Sequence, residues 1–498
     1  MDRKIAIFIV AAVCVIAALV LAFQTSNESE PKDFIIIHTG DTHGRIGDDD
    51  GTLGFSTATV LKERYEEQGY TVFTVDVGDF MGGNNMLFAT QGDYAIIPMN
   101  QVGYDLVTIG NHEFDFSPDI MIDQLGHLNS KVICSNLFRP GDEPVFKQYE
   151  IIEKKGVRIG FFALLTPEIN DLTVDLKSDL YVEDPVESAK DMVGILKGKG
   201  VDAIVLLSHL GIGKNYLSPS DIVCSQVEGI DLCINGHSHS PMEHGKFIDK
   251  ERPLIPSDTY FVDAGCYSKY VGIASRIAGV YDGILYKDEK LDDKDVDGAV
   301  RDAHELAIEI GNRKISSTEL DLTGYKDMGG GKENDLAKFC MGYLLTLTDA
   351  DISMLSVDSF GTGIAKGDIS LFKALDAVPY SGKMLTFRFT GQELADYIKN
   401  NLSEGGGGHM LEFSDNVRVY TDETGKEVRS ITVDSTELDG SRTYTGLTSI
   451  YTLRNLLKLS EDRIVDYVGS QKDVLLSSFS ECDSITDDLL GGDRYIRE

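Results

Sequence analysis

The run Phe34-Ile35-Ile36-Ile37-His38-Thr39-Gly40-Asp41-Thr42-His43 joins an apolar segment directly to a polar turn. Its first half is rich in β-branched residues, which is typical of a β-strand. Asp41 and His43 follow at the point where such a strand ends. The run therefore predicts a strand whose carboxyl end presents a carboxylate and an imidazole.

The same arrangement recurs four more times along the chain. Each time, an apolar run of the strand type ends in a short polar motif. The further motifs are Gly78-Asp79, Gly110-Asn111-His112-Glu113-Phe114-Asp115, Ser208-His209 and Gly236-His237-Ser238-His239. In an open α/β sheet, ligands bind outside the carboxyl ends of the strands. We therefore expect the five motifs to converge on one rim although they are distant in sequence.

The residue types in these motifs suit metal binding. They offer carboxylate, amide and imidazole ligands and no thiolate, a set that fits zinc, manganese, iron or cobalt. Two cations about 3.5–4 Å apart can clamp the attacking and leaving oxygens of a phosphoryl displacement. Each motif alone is more often a polar turn. Their order and their common place at strand ends favour a two-metal site.

Taken together, the motifs resemble those of the calcineurin-like metallophosphoesterases, and among these the 5′-nucleotidase/UDP-sugar hydrolase family. The matching stretches are residues 38–44, 78–82, 110–115, 208–211 and 235–239. The resemblance covers residues 34–285 and, more loosely, the rest of the chain. It implies an α/β fold: a four-layer α/β/β/α sandwich followed by a smaller α+β domain of the 5′-nucleotidase C-terminal type.

The resemblance also implies a role for each motif residue. One divalent cation would be held by Asp41, His43 and His239. The second would be held by Asn111, His209 and His237. Asp79 would bridge the two ions.

The pair His112 and Asp115 would complete the site without binding metal. A cationic imidazole can stabilise phosphoryl charge or protonate a leaving oxygen. A carboxylate three residues on can fix its tautomer. The expected reaction is in-line attack of a hydroxide held between the cations on phosphorus. A purely structural role for His112 is the alternative.

Composition narrows the range of partners. The chain has 498 residues and a formal net charge of −35, which disfavours nucleic-acid binding through a basic face. An acidic surface also repels anionic substrates, so cations must supply local positive charge. We expect a small phosphate ester or nucleotide as substrate, and the sequence indicates no protein partner.

The N-terminus predicts export. Asp2-Arg3-Lys4 precedes an apolar run over residues 5–23, and polar residues follow. This pattern is typical of an uncleaved signal anchor or, as the second interpretation, a cleaved signal peptide. Either predicts an extracytoplasmic protein, membrane-anchored or secreted.

Five segments are expected along the chain. They are a signal anchor or signal peptide (residues 1–24), a polar tether (25–33), the catalytic domain (34–285), a charged linker with a connecting helix (286–315) and the C-terminal substrate domain (316–498). Helices are predicted over residues 56–68, 186–197, 300–310 and 392–402. Thr390 would cap the last of these helices, with Glu393 as its capping-box partner.

The C-terminal part departs from the family pattern. Family members carry arginines that hold the substrate and two aromatic rings that sandwich a base. The family's Asn-x-Gly-Gly-x-Arg is replaced here by Ser356-Val357-Asp358-Ser359-Phe360-Gly361, and the Gly-Gly-Asp-Gly-aromatic loop is not found. Phe413 is either the first stacking ring or a core phenylalanine, and Asn111 is a further candidate substrate contact.

Three functions therefore remain open. The first is hydrolysis of phosphate monoesters, above all nucleoside 5′-monophosphates. The second is hydrolysis of cyclic nucleotides, diesters or sugar nucleotides through an altered C-terminal pocket. The third is a non-catalytic surface binding protein, which would show lost ligands, whereas all seven expected ligands are present.

Overall fold

The structure is a computed structural model that describes residues 31–47, 51–169, 180–247, 258–325, 334–403 and 411–498. Two six-stranded sheets are formed within residues 34–286. The remaining sheets lie within residues 314–497, apart from a small three-stranded sheet of Glu143–Pro144, Leu137–Arg139 and Tyr181–Val182.

The first large sheet is built around the strand Phe34–Thr39. In spatial order its strands are Val280–Tyr286, Val271–Ile277, Phe34–Thr39, Val72–Asp76, Leu106–Val107 and Lys131–Val132. Phe34–Thr39 runs parallel to Val72–Asp76 and antiparallel to Val271–Ile277. Its six residues are all buried. The parallel pairing brings the chain after each strand to the same edge of the sheet.

In the second large sheet, too, polar motifs follow parallel strands. Its strands, in spatial order, are Lys246–Phe247, Tyr260–Asp263, Leu232–Asn235, Ala203–His209, Val157–Leu165 and Tyr149–Lys154. Ala203–His209 is parallel to both of its neighbours. His209 is the last residue of the strand Ala203–His209. The motif that begins at Gly236 directly follows the adjacent strand, Leu232–Asn235.

The two sheets pack face to face around an apolar core. Phe34, Ile36 and Phe73 of the first sheet meet Phe161 and Val205 of the second. The Phe73 and Phe161 ring centroids are 6.0 Å apart. Helices cover the outer face of each sheet. The predicted four-layer α/β/β/α sandwich is therefore confirmed.

Helices lie on the outer side of both sheets, and Gly54–Glu67 and Pro185–Lys197 match predicted helices to within two residues at each end. Those on the side of the first sheet are Gly54–Glu67, Asn85–Ala89, Asp93–Val102, Pro118–Leu125 and Lys294–Gly311. Those on the side of the second are Pro185–Lys197 and Ser220–Gln226. Lys294–Gly311, expected only as a connector, begins earlier than predicted because Asp293 caps it. Its buried Val296 and Ala303 belong to the core of the first sheet, so this helix packs as part of the sandwich.

The C-terminal part is α+β. Its five-stranded sheet contains, in spatial order, Leu411–Phe413, Ile352–Ser356, Thr443–Ser449, Lys383–Thr390 and Ile464–Ser470. A four-stranded sheet contains Thr436–Glu437, Val428–Val433, Val417–Thr421 and Tyr495–Arg497, and Lys314–Thr318 pairs with Gly367–Ser370. The α-helices are Asp335–Leu344, Leu371–Ala377, Gly391–Ser403, Gln471–Ser480 and Asp487–Leu490.

The capping box at Thr390 is confirmed. The Glu393 backbone N–H donates to Thr390 Oγ1 at 3.2 Å, and Glu393 Oε2 accepts from the Thr390 backbone N–H at 2.7 Å. Each side chain thus satisfies a backbone donor that the helix start would leave unpaired. The helix it opens, Gly391–Ser403, extends the predicted span by one residue at each end.

The predicted N-terminal anchor lies outside the described residues. Within the ranges that are described, none of the helices is both long and apolar enough to cross a membrane. Cys134 and Cys233 are buried, whereas Cys266, in the turn after Tyr260–Asp263, is partly exposed.

Candidate active site

The five polar motifs meet at one rim of the sandwich. The ligand atoms of Asp41, His43, Asp79 and His239 all lie within 4.8 Å of one another. His43 Nε2 is 3.0 Å from His239 Nε2, and His239 Nε2 is 3.5 Å from Asp41 Oδ1. Two imidazole nitrogens facing each other at this distance fit a shared cation between them. This group matches the first predicted ligand set together with the bridging aspartate.

A second group shares Asp79 with the first. It contains Asp79, His209 and His237, again with ligand atoms within 4.8 Å of one another. Asp79 Oδ2 lies 3.1 Å from His209 Nε2. Because Asp79 belongs to both groups, its carboxylate is placed to bridge two ions.

Unsatisfied atoms indicate that this rim is built for cations. Asn111 Oδ1 is buried and has no hydrogen-bond partner in the described part of the chain, and the buried His209 Nε2 meets the Asp79 carboxylate at 3.1 Å without hydrogen-bond geometry. Leaving such atoms unpaired costs about 1–3 kcal/mol each unless a ligand satisfies them. The other His209 ring nitrogen, Nδ1, lies 2.7 Å from the Val77 carbonyl oxygen, so Nε2 is the nitrogen left to face a cation. The donors present therefore fit two divalent ions.

The backbone holds these side chains in an unusual conformation. Five of the seven predicted ligands have positive φ: Asp41 (50°), His43 (47°), Asp79 (58°), His237 (73°) and His239 (52°). Non-glycine residues rarely adopt this region, and such strain concentrates at functional sites. This backbone conformation is held by two hydrogen bonds. The Asp41 N–H donates to the Gly78 carbonyl oxygen and the His43 N–H donates to the Asp79 carbonyl oxygen, both at 2.9 Å.

Glu113 joins the turn that carries Asp79 to the turn that carries Asn111. Its buried carboxylate accepts hydrogen bonds from four backbone N–H groups, those of Asp79, Phe80, Met81 and Gly110. These bonds fix the turn that carries Asp79 against the turn that carries Asn111. The motif of Glu113 predicted no role for it, because three of these four partners are backbone groups more than thirty positions away in the sequence.

Close packing explains the glycine before Asn111. A Cβ at Gly110 would lie 2.2 Å from Asp79 Oδ1 and 2.5 Å from the His209 ring. A side chain there would therefore push the bridging carboxylate and a candidate ligand out of place.

His112 lies beside both groups and pairs with Asp115. Its Nδ1 is 2.9 Å from Asp115 Oδ2, and its backbone N–H donates to Asp79 Oδ1 at 2.8 Å. Burial acts to lower the pKa of His112, but Asp79 and Asp115 outweigh it and raise this pKa to about 10. The carboxylates thus favour a protonated ring. With 37% of its side chain exposed, His112 can reach a bound substrate.

Comparison with known proteins agrees with this geometry. The model of the calcineurin-like phosphoesterase family matches residues 34–241, and the model of the 5′-nucleotidase C-terminal domain matches residues 317–456. Residues 34–241 thus belong to the calcineurin-like phosphoesterase family, and residues 317–456 belong to the family of 5′-nucleotidase C-terminal domains. The relatives and folds that match are those of hydrolases acting on phosphate esters.

Relatives of this phosphoesterase are distant in sequence. A trifunctional nucleotide phosphoesterase protein of Bacillus subtilis is 25% identical over 435 residues, covering 77% of this chain and 29% of that protein. A 5′-nucleotidase of Vibrio parahaemolyticus is 23% identical over 420 residues, covering 75% of each. The chain thus spans less than a third of the first relative.

Solved structures share the fold over most of the chain. A 5′-nucleotidase precursor of Thermus thermophilus superposes with a TM-score of 0.54 at 22% identity, covering 93% of this chain and 99% of that one. A Haemophilus influenzae NAD nucleotidase gives a TM-score of 0.61 at 16% identity, covering 94% and 99%.

Three residues beside the phosphoesterase site were missed by sequence reasoning. Glu168 Oε2 lies 3.1 Å from His237 Nε2. The Tyr216 ring is 5.1 Å from that of His237, and the Tyr267 ring is 5.4 Å from those of both His43 and His239. They flank the ligands from separate loops, and no local motif marks them. Tyr267 also has a positive φ of 59°.

The assignment of Phe413 as a substrate contact is wrong for this structure. Its side chain is 0% exposed and packs in the core of the C-terminal part, with its ring 6.3 Å from that of Tyr495. Its strand pairs with Ile352–Ser356 inside the sheet. The core interpretation therefore replaces the stacking interpretation.

The structure leaves no space for the arginine that the family pattern has in the C-terminal part. At position 361, where the family pattern has arginine, a Cβ would lie 2.2 Å from the Asp376 carbonyl oxygen. An arginine therefore cannot occupy Gly361 without moving the backbone. The close packing at Gly361 thus agrees with the departure of this stretch from the family sequence pattern.

Glu113→Ala should destabilise the phosphoesterase strongly. The substitution leaves four backbone N–H groups without their acceptor, so we expect the unfolding free energy to fall by roughly 3 kcal/mol or more. Scanning calorimetry would measure this against Glu67→Ala on an exposed helix face, for which we expect a change within about 0.5 kcal/mol. Equal unfolding temperatures for the two variants would contradict the role given to Glu113.

Proposed function

We propose that this phosphoesterase hydrolyses phosphate monoesters, in particular nucleoside 5′-monophosphates, outside the cytoplasm. The observation that carries the proposal is the pair of ligand groups that share Asp79. The names of the relatives, several of which are 5′-nucleotidases, support the nucleotide as substrate.

In this proposal the chain holds two divalent cations. Asp41, His43 and His239 would hold the first, and Asn111, His209 and His237 would hold the second. Asp79, which belongs to both ligand groups, would contribute to both sites. When bound, two cations would stabilise phosphoryl charge and activate water near neutral pH; zinc, manganese, iron and cobalt all suit these donors.

The chain's own residues then complete the reaction. His112 holds a proton towards the phosphoryl or leaving oxygen, and Asp115 keeps its ring oriented through Nδ1. Asn111 directly precedes His112, and its unpaired Oδ1 supports a contact with a cation, with the phosphate as a second proposed contact of the amide. Glu113 keeps the two turns that carry Asp79 and Asn111 in register.

Two substitutions separate metal binding from catalysis. Asp79→Ala should lose both bound metal and activity, because both cations lose a ligand. His112→Ala should keep its metal and lose about 10²- to 10⁴-fold in kcat, the usual contribution of a general acid or base. Metal analysis and turnover of a chromogenic phosphate ester measure both effects. Unchanged turnover in both variants would overturn the assignment.

A second candidate keeps the chemistry and changes the substrate. The close contact at Gly361 and the burial of Phe413 remove two features that the family uses for nucleotide recognition. Cyclic nucleotides, diesters or sugar nucleotides would then be the substrates. A non-catalytic binding protein is disfavoured, because the ligand groups are intact.

A substrate panel distinguishes the two candidates. We expect kcat/KM to be higher for AMP than for 2′,3′-cyclic AMP or UDP-glucose, measured with the same enzyme and metal. An equal or higher value for either of the latter would favour the second candidate and end the 5′-nucleotidase proposal.

The extracytoplasmic location rests on the basic start and apolar run over residues 2–23. We expect the full chain to stay in the membrane pellet after alkaline carbonate extraction of cells that express it. A variant without residues 1–30 should remain in the cytoplasmic fraction. The same soluble cytoplasmic fraction for both would contradict the proposed anchor and export.

A further inference from the structure

A hydrogen bond from the C-terminal part reaches the catalytic pair. Ser381 lies between the helix Leu371–Ala377 and the strand Lys383–Thr390, and its hydroxyl is 3.3 Å from Asp115 Oδ1. The other oxygen, Oδ2, is 2.9 Å from His112 Nδ1. The His112 backbone N–H in turn donates to Asp79 Oδ1 at 2.8 Å. A continuous polar chain therefore runs from the C-terminal part to the bridging aspartate.

A buried lysine lies at the same contact. Lys472 is in the first turn of the helix Gln471–Ser480 and is 3% exposed. Its Nζ is 3.4 Å from the centroid of the Phe88 ring, which belongs to the catalytic part. Burial lowers the pKa of Lys472 to about 8, while Asp115 and Asp473 act to raise it. A cation is thus held between the two parts of the chain, in the field of Asp115.

An aliphatic side chain would fill this position at lower cost. Burying an ammonium group is expensive unless charge or hydrogen bonds compensate it, and one face of an aromatic ring supplies only part of that compensation. The Lys472 ammonium is compensated by Asp115 as well as by Asp473, so its charge acts on Asp115 beyond packing.

A second contact joins the same two parts without touching the catalytic pair. Asn85 Nδ2 donates to Asp376 Oδ1 at 2.7 Å, and the Asp376 side chain is exposed. This contact offers a matched control, since its loss weakens docking and leaves Asp115 untouched.

We propose that Ser381 and Lys472 are positioning residues that complete the His112–Asp115 pair from the C-terminal part. Ser381 binds one oxygen of Asp115 and so directs the other to His112. Lys472 offsets the negative charge that gathers there. Both residues act on Asp115 from the C-terminal part and so set how Asp115 orients His112. The inference rests on the proposed role of His112 in phosphate ester hydrolysis.

The test is a double-mutant cycle through Asp115. Ser381→Ala and Lys472→Met should each lower kcat for a chromogenic phosphate ester about 3- to 10-fold, as expected for loss of one hydrogen bond or one charge contact. KM and metal content should change less than about 2-fold. Ser381→Thr and Lys472→Arg should restore most of the rate.

In an Asp115→Asn background, neither substitution should lower kcat further, because residues that act through one partner are not additive. Asp376→Ala should leave kcat within about 2-fold of the parent. Additive losses in the Asp115→Asn background, or an equal loss in Asp376→Ala, would overturn the proposal.

A readout that needs no turnover separates this inference from the proposed function. The proton on His112 Nδ1 gives a low-field NMR signal, assigned by its disappearance in His112→Ala. Ser381→Ala and Lys472→Met should shift that signal, and Asp376→Ala should not. An unmoved signal would refute the positioning role. An inactive parent enzyme that still showed these shifts would refute the proposed function alone.

Discussion

Buried negative charge is the constraint on which the site depends. The Asp41 and Asp79 side chains are 0% and 1% exposed, and they share a small volume with four imidazoles and an unpaired amide oxygen. Burying carboxylates without compensation is prohibitive. The paired sheets, the positive-φ turns and the backbone hydrogen bonds of Glu113 nonetheless hold these candidate metal ligands in place. This group of candidate ligands needs positive charge, which divalent cations would supply.

The positive charge that the site needs also offsets the acidic surface of the protein. A net charge of −35 attracts cations and repels anionic esters at long range. Two bound cations, together with a protonated His112, would reverse the sign of the charge locally. The C-terminal part adds the buried ammonium of Lys472 in the field of Asp115. Substrate attraction is therefore concentrated at the rim, where the reacting groups lie.

Much of this could be read from the sequence because parallel strands impose geometry. Residues that follow such strands must share an edge, so five local motifs predicted one cluster, and the structure brings those residues together. Glu113 and Glu168 act through backbone or ring partners from remote segments, which no local pattern reveals. Phe413 misled because a phenylalanine in a strand looks the same whether its ring lines a pocket or a core. The Ser381–Asp115 bond depends on how the two parts dock, which sequence periodicity does not encode.

The most direct test of this account is anomalous diffraction from crystals of the full chain grown with manganese or zinc. The account predicts two anomalous peaks about 3.5–4 Å apart, with the Asp79 carboxylate touching both. The first peak should contact His43 and His239, and the second should contact Asn111 and His209. A single peak, or two peaks that Asp79 does not join, would contradict it.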